Sequence, residues 1–553
     1  MSKVFGIDLG TTYSCVSYID EYGKPVVLKN SEGDHTTPSV VMIESERNII
    51  VGTEAKRSID LDPDKTVQFI KRKMGKENDT VTCNGTTYHA PEISSMILKK
   101  IVKDANEELR QTGVIQDGEE VNDVVITCPA YFGMNERQAT KTAGELAGLN
   151  VLNIINEPTA AAISYGVSGK NKNETVLVYD LGGGTFDITV MNISGNNISV
   201  VCTGGDDQLG GKDWDEALMD YVVERYEEEY GEDLSEDPET ISSLYVDVET
   251  WKKSLTSREK VHISVNGPAG RFREELTREK YEELTSDILD RTKNLLDDVL
   301  QVAANQGYPI SKIDKVLLVG GSSRMPQVAS MIERDYHVTP SLADPDEAVA
   351  KGAAIYASNE KAYNDFLINE ANKSNKTVEE VKEENVLTGE IDKKFALSSN
   401  GSTSGAFKIN ITNVLSRTYG LETYDTSKNR NRIFNMLMIN DTLPATRTET
   451  FCTLEDNQSG ISIKIYESRS TDEQIEIDDR KPLTEFEMKF RQPVRRNTPV
   501  IMTTQLDNSG ILHIIAEEQA NHSKLDTTFQ LSNQMSENEM NSAALRMSSA
   551  TIE

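Results

Sequence analysis

Short apolar runs alternate with helical stretches from residue 1 to about 357, Lys3-Val4-Phe5-Gly6-Ile7-Asp8 being the first such run and Val316-Leu317-Leu318-Val319 a late one. That alternation predicts a layered α/β domain over 1–357. Within it, Tyr281, Leu284, Ile288, Leu295, Val299 and Val302 keep three-to-four spacing and predict one continuous helix, stopped by Gly307. From 358 the chain turns charged and helix-forming, and Ser398–Gly405 reads as a flexible linker, so 358–408 is taken as insertion and linker. Beyond it the period becomes two, in Lys408–Thr412, Ile461–Ile465 and Ile511–Ile514, with turn chemistry at Asp507-Asn508-Ser509-Gly510. An antiparallel all-β domain is therefore expected over about 409–533, followed by a short polar segment, 534–553, able to start a helix.

The length, 553 residues, agrees with more than one domain. Lys and Arg total 58 against 90 Asp and Glu, a formal charge of −32. Such a field repels phosphate backbones and anionic membranes, which argues against nucleic acid and membrane as partners. The five cysteines are scattered with no CxxC pair, so neither a disulfide framework nor a zinc site is expected. No run reaches eighteen apolar residues, and no charged-plus-apolar leader opens the chain. A reducing cytoplasm is the expected location.

The candidate chemistry lies in an internal repeat. Asp8-Leu9-Gly10-Thr11-Thr12-Tyr13 follows one apolar run, and Asp180-Leu181-Gly182-Gly183-Gly184-Thr185 follows another about 170 residues later. Each places a carboxylate at a strand end, then glycines, then a hydroxyl. Consecutive N–H groups in such turns can point at one anion, and the Asp can hold a hydrated magnesium ion. Two of them facing each other would clamp a polyphosphate. A third turn, Gly320-Gly321-Ser322-Ser323-Arg324, suits adenosine if Arg324 packs against the base. Neither GxxxxGK[ST] nor a strand-to-helix GxGxxG is present, which excludes the P-loop and the usual dinucleotide fingerprint. On the repeat alone, sugar kinases and filament-forming actin relatives remain open.

The ordered motifs IDLGTTYS (7–14), FIKRKMG (69–75), ITCPAYF (126–132), INEPTAAA (155–162), YDLGGGTFD (179–187), LGGKDWD (209–215), LVGGSSRMP (318–326) and DPDEAVAKGAA (344–354) resemble the DnaK-type, seventy-kilodalton heat-shock chaperones. EDNQS (455–459) and LDNSGILHIIA (506–516) extend the resemblance past the linker and speak against a kinase or a filament. The resemblance implies an actin-like, duplicated ribonuclease H-like ATPase followed by a β-sandwich that binds extended peptide. It implies ATP or ADP with magnesium and potassium ions, unfolded peptide segments as clients, and a J-domain co-chaperone and nucleotide exchange factor as partners.

Position by position, it makes Asp8, Asp180 and Asp187 the carboxylates organising metal and water. Lys71 becomes the catalytic lysine, Glu157 the nucleotide-sensing glutamate, and Thr185 a neighbour of the γ-phosphate. Gly10, Thr11, Thr12 and Tyr13 form the first phosphate turn, and Gly182, Gly183 and Gly184 the second. Glu249, Lys252, Lys253, Gly320, Gly321, Ser322, Arg324 and Asp346 surround adenosine. Pro129 and Arg137 form an interdomain relay. Leu421, Phe451, Ile461 and Ile463 make a peptide side-chain pocket, with Tyr424 and Leu454 arching over the peptide backbone.

Three departures matter. The family's leucine-rich linker, which docks on the ATPase when ATP is bound, is Lys408-Ile409-Asn410-Ile411-Thr412-Asn413 here. Each lost leucine removes roughly 1.5–3 kcal/mol of the burial that would drive docking, which leaves the coupling of ATP to peptide affinity an open question. The helical lid is nearly absent, so peptide should leave quickly. Asn153 stands where the family's J-domain-receiving arginine is usual, and His35 replaces an arginine before TTPS. The competing expectation is a nucleotide-binding scaffold that hydrolyses little and cycles no clients.

Overall fold

The repeat reappears as architecture in the computed structural model, which describes residues 3–59, 61–76, 80–166, 173–342, 344–388, 390–399, 408–507, 511–529 and 535–553. In the first half, strand Phe5–Leu9 turns back antiparallel into Tyr13–Ile19, which pairs with Pro25–Val27. On its other side Phe5–Leu9 runs parallel to Asp123–Cys128, which runs parallel to Asn150–Asn156. In the second half, Asn173–Leu181 turns back into Phe186–Ser194 and then Asn197–Asp206. Its other side carries, in parallel, Lys315–Val319 and Ser341–Leu342. The same order of parallel and antiparallel neighbours is thus built twice.

Buried Ala160, Ala161 and Ala162 of helix Glu157–Gly166 and Ala353 and Ala357 of helix Ala348–Ser374 fill the space between the sheets, with Val4, Val178 and Val319. Small residues are obligatory there. A Cβ on Gly352 would lie 1.7 Å from the Ala160 carbonyl oxygen, and one on Gly6 2.0 Å from the Ala354 nitrogen. Elements that must approach to backbone contact leave no room for a side chain.

The single helix expected over Tyr281–Val302 is two, Arg278–Leu284 and Ser286–Asn305. Buried Thr285 stands at the break. Its hydroxyl donates to the Tyr281 carbonyl at 2.9 Å and accepts from Gln327 Nε2 at 3.2 Å, a local bond that competes with the helical ladder. Apolar periodicity runs through such a break and does not register it.

After the α/β part come two antiparallel sheets. Five strands follow the order Gln474–Ile475, Arg430–Leu437, Thr418–Asp425, Gln458–Ser468, Thr484–Val494, and four the order Ala445–Cys452, Pro499–Leu506, Leu512–Glu518, Ser523–Phe529. Leu421, Ile463 and Ile465 of one sheet share a core with Val500, Leu506 and Ile514 of the other. The period-two reading holds in these strands because one face of each packs inward. Residues 508–510 of the expected turn lie outside the described residues.

Two expectations about the junction change. Ser398 and Ser399, read as linker, close helix Glu390–Ser399, while 400–405 lie outside the described residues. Lys408–Thr412, read with the antiparallel part, instead supplies strand Asn410–Thr412 to the edge of the second α/β sheet. It is parallel to Asn197–Asp206, with Ile411 opposite Ile198. Main-chain pairing and the buried side chain of Ile409 replace the missing leucines. Helix Glu537–Ser549, which opens with a Ser536–Glu539 capping box, lies against the first half, where Ala543 and Met535 pack on Leu146 and Arg546 pairs with buried Glu92. Among the described residues no helix is long and apolar enough to cross a membrane. All five cysteines are free, four of them buried and Cys452 exposed.

Candidate nucleotide and peptide sites

The two glycine turns meet. Gly10, Thr11, Thr12, Gly182, Gly183 and Thr185 line one cavity of about 470 Å³ between the two halves, together with Asp8, Lys71, Glu157, Asp180, Glu249 and the third turn, Gly320–Arg324. The approach is close: a Cβ on Gly183 would fall 2.3 Å from Thr12 Oγ1, and one on Gly184 2.4 Å from Thr11 Cγ2. Thr11 Oγ1 is buried and has no hydrogen-bond partner among the described residues.

The strand pairing sets the carboxylates. Asp180, next to last in its strand, lies directly opposite Asp187, and Asp8 occupies the matching place in the first sheet. Thr127 Oγ1 lies 3.4 Å from Asp8. Burial, then the nearby Glu157, pushes the Asp8 carboxyl up to about 7, against the pull of Lys71. Burial and Glu157 also raise Asp180 and Asp187 well above the carboxylate range. Lys71, on a short 3-10 turn, is buried and paired with Glu157. Burial opposes its charge, yet Glu157 and Asp8 hold the ammonium above its usual value. Three buried acids, Glu157, Asp180 and Asp187, and the half-buried Asp8 thus face one buried lysine. A site so unbalanced fits a cation, and the backbone amides of the turns fit phosphate oxygens.

Asp187 leads outward from the cleft. Its Oδ1 accepts from the Ala130 and Tyr131 amides at 2.9 and 3.3 Å, in the turn that Pro129 begins. The next carbonyl, Phe132, accepts from Arg137 Nε at 3.2 Å and from Ser416 Oγ, beyond the linker strand, at 3.0 Å. Arg137 also reaches Asn156, beside Glu157. Arg417 bridges the two parts, Nη2 to Glu136 at 3.2 Å and Nε to Glu467 at 2.8 Å.

At the other end of the cleft, Glu249 meets Tyr13 Oη at 3.2 Å, Lys253 at 2.7 Å, and Lys56. Burial works against its charge, but Lys56 and Lys253 bring the carboxyl down to about 2. Lys252 is committed to Asp215 at 2.7 Å and the Gly211 carbonyl at 2.8 Å, and the Gly211 amide in turn donates to the Gly182 carbonyl of the second turn at 2.9 Å. Arg324 pairs with Asp346 at the rim. His35 Nδ1 lies 2.7 Å from Glu347, and Asn153 Nδ2 donates to Tyr356 Oη at 2.9 Å.

Sequence reading missed Arg72 and Lys56. Arg72 Nε donates to the Gly184 carbonyl at 2.8 Å and Nη2 reaches Asp213 at 3.2 Å, which ties the lysine turn to the second glycine turn. Only the adjacency of Arg72 to Lys71 could have signalled it.

In the antiparallel part, Leu421 and Ile463 are buried in the shared core, with Phe451 and Ile461 half-buried against it. Phe451 packs edge-on against Phe434 at 5.5 Å. Tyr424 and Leu454 are 38% and 44% exposed. Tyr424 Oη donates to Asn429 at 2.6 Å.

Fold and cleft together define a protein of two similar α/β halves around one glycine-lined cavity, followed by an antiparallel sandwich. The sequence matches the family model described as Hsp70 protein over residues 4–82, 77–402 and 396–551. The chain belongs to the Hsp70 family, whose members are ATPases that bind ATP or ADP with magnesium and act as chaperones on unfolded peptide.

Proposed function

We propose that this protein is an ATP-driven, DnaK-type peptide-binding chaperone in which the duplicated α/β half is an actin-like ATPase and the sandwich receives extended peptide. The observation that carries the reading is the shared cavity, in which both glycine turns, the third turn, Lys71 and Glu157 converge across the two halves. ATP would lie with its phosphates between Thr11–Tyr13 and Gly182–Thr185 and its adenosine toward Glu249, Arg324 and Asp346. Magnesium, when bound, neutralises phosphate charge. Asp8, Asp180 and Asp187 would hold such an ion through its waters. The same acids suit potassium ions.

In hydrolysis a water oxygen attacks the γ-phosphorus and the bond to the β–γ bridging oxygen breaks. Lys71, fixed by Glu157 and kept charged, stabilises the developing negative charge and orients that water, and Thr185 lies beside the γ-phosphate. Movement at Asp187 would travel through the Pro129 turn and Arg137 to Ser416 and Arg417, whose contacts support a coupled rather than a scaffolding role. Peptide would bind as an extended strand under Tyr424 and Leu454, with one aliphatic side chain toward Phe451 and Ile461. A J-domain partner and an exchange factor would act on the ATPase, the former without the usual arginine at Asn153.

The test is single-turnover ATP hydrolysis beside calorimetric nucleotide binding for the wild type and Lys71→Ala. The variant should bind nucleotide within several-fold of wild type and hydrolyse it about 100-fold or more slowly. Binding without hydrolysis in the wild type would leave a nucleotide-dependent scaffold.

A further inference from the structure

Residues 358–399 form a small folded appendage. Helix Ala348–Ser374 outruns the α/β core, and Val378–Thr388 and Glu390–Ser399 fold back on its end. Tyr363, Leu367, Ala371, Val381, Ile391 and Phe395 make a separate apolar core, with Phe395 edge-on to Tyr363 at 5.2 Å. Lys361 anchors its base to Asp123 of the first sheet at 3.0 Å.

One polar cluster faces the linker. The Asp392 carboxylate accepts from Tyr363 Oη at 2.6 Å and Asn385 Nδ2 at 2.9 Å, and Asn385 Oδ1 accepts from the Ile391 and Asp392 amides at 3.0 and 3.1 Å. The carboxylate is therefore fixed by the appendage itself. Into this site enters Lys408, with Nζ 3.1 and 3.0 Å from the two Asp392 oxygens and 4.6 Å from the Tyr363 ring centroid. Burial disfavours charge on Asp392, but the bonds from Tyr363, Lys408 and Asn385 hold its carboxyl below the ordinary value.

Lys408 lies two residues before strand Asn410–Thr412. That strand is short and largely polar, pairs over only three positions, and buries one side chain just ahead of it, Ile409. A second anchor at its entry changes the balance between docked and free.

We propose that the 358–399 appendage is a built-in clamp that holds the linker strand on the edge of the ATPase sheet by capturing Lys408 between Asp392 and the Tyr363 ring. It does by a charge-assisted contact what leucine burial would otherwise do. The clamp deepens the coupled reading above and rests on it only for its effect on peptide affinity, since strand docking is measurable without peptide or nucleotide.

The experiment is hydrogen–deuterium exchange by mass spectrometry on the full chain, following residues 408–415, nucleotide-free and with ATP. Asp392→Asn and Lys408→Met should each speed exchange of this segment about threefold. The double variant should do no more than either alone. If Asp392→Asn also loosens 378–399, Lys408→Met, outside the appendage core, decides the question. Unchanged exchange in Lys408→Met, or additive effects in the double variant, would overturn the clamp. Should nucleotide fail to bind while exchange responds as expected, the clamp stands and the ATPase reading falls.

Discussion

Asp8 carries the most informative charge in the cleft. Its folded-state carboxyl titrates near 7 against an ordinary 3.8, chiefly through burial. The folded state therefore binds the proton more tightly than the unfolded chain. Stability from this group is full at low pH and is lost as pH rises through that window. Asp8→Asn removes the titration, so in nucleotide-free protein its Tm should exceed that of wild type by several degrees near pH 8, the gap closing toward about pH 4. ATP hydrolysis should fall in the same variant. A constant Tm gap across pH, followed by calorimetry, would show that Asp8 is not the group responsible. The aspartates and glycines were legible in sequence because each turn is local: carboxylate, glycines and hydroxyl lie within a few residues. Lys56 and Arg72 were not, because their partners Glu249 and Asp213 are far along the chain and a lone Lys or Arg names no partner.

Among the elements, the linker strand and its flanking contacts depart furthest from expectation. Side chains alone left docking of the linker open, but a strand also gains by pairing its backbone, and any residue except proline supplies that. The period-two pattern was legible; which sheet it joins was not, since alternation specifies a strand and leaves its neighbour open. Just beyond it, Arg417 holds Glu136 of the ATPase half and Glu467 of the sandwich. Burial, then Glu136, lifts the Glu467 carboxyl to about 7 from 4.5, with Arg417 opposing. If undocking returns it to the ordinary value, docking takes up a proton between these limits, so it is firm below the window and weakens as pH rises through about 7. A donor–acceptor pair placed on the two parts should show more separation near pH 8 than near pH 6, and Glu467→Gln should flatten that dependence. A pH-independent signal in wild type would exclude Glu467 as the titrating contact.

For the molecule as a whole, duplication organises function. Two hairpin-bearing sheets present equivalent turns to one cavity. The Asp187 carboxylate accepts from the Ala130 and Tyr131 amides, and the neighbouring Phe132 carbonyl accepts from Ser416 Oγ just ahead of the sandwich, so a short run of contacts lies between cleft and sandwich. The two-part organisation was legible from the change of hydrophobic period. The appendage was not, because its charged helices bury a small core whose residues are scattered over 363–395. Coupling needs two states that bind peptide differently. The direct measurement is the affinity of a short leucine-rich peptide, by fluorescence anisotropy, in ADP and then in ATP, with Lys71→Ala to prevent hydrolysis during the reading. Coupled parts should release the peptide several-fold more readily in ATP, in wild type and variant alike. Equal affinity in the two nucleotides would contradict coupling and leave two independent binding modules on one chain.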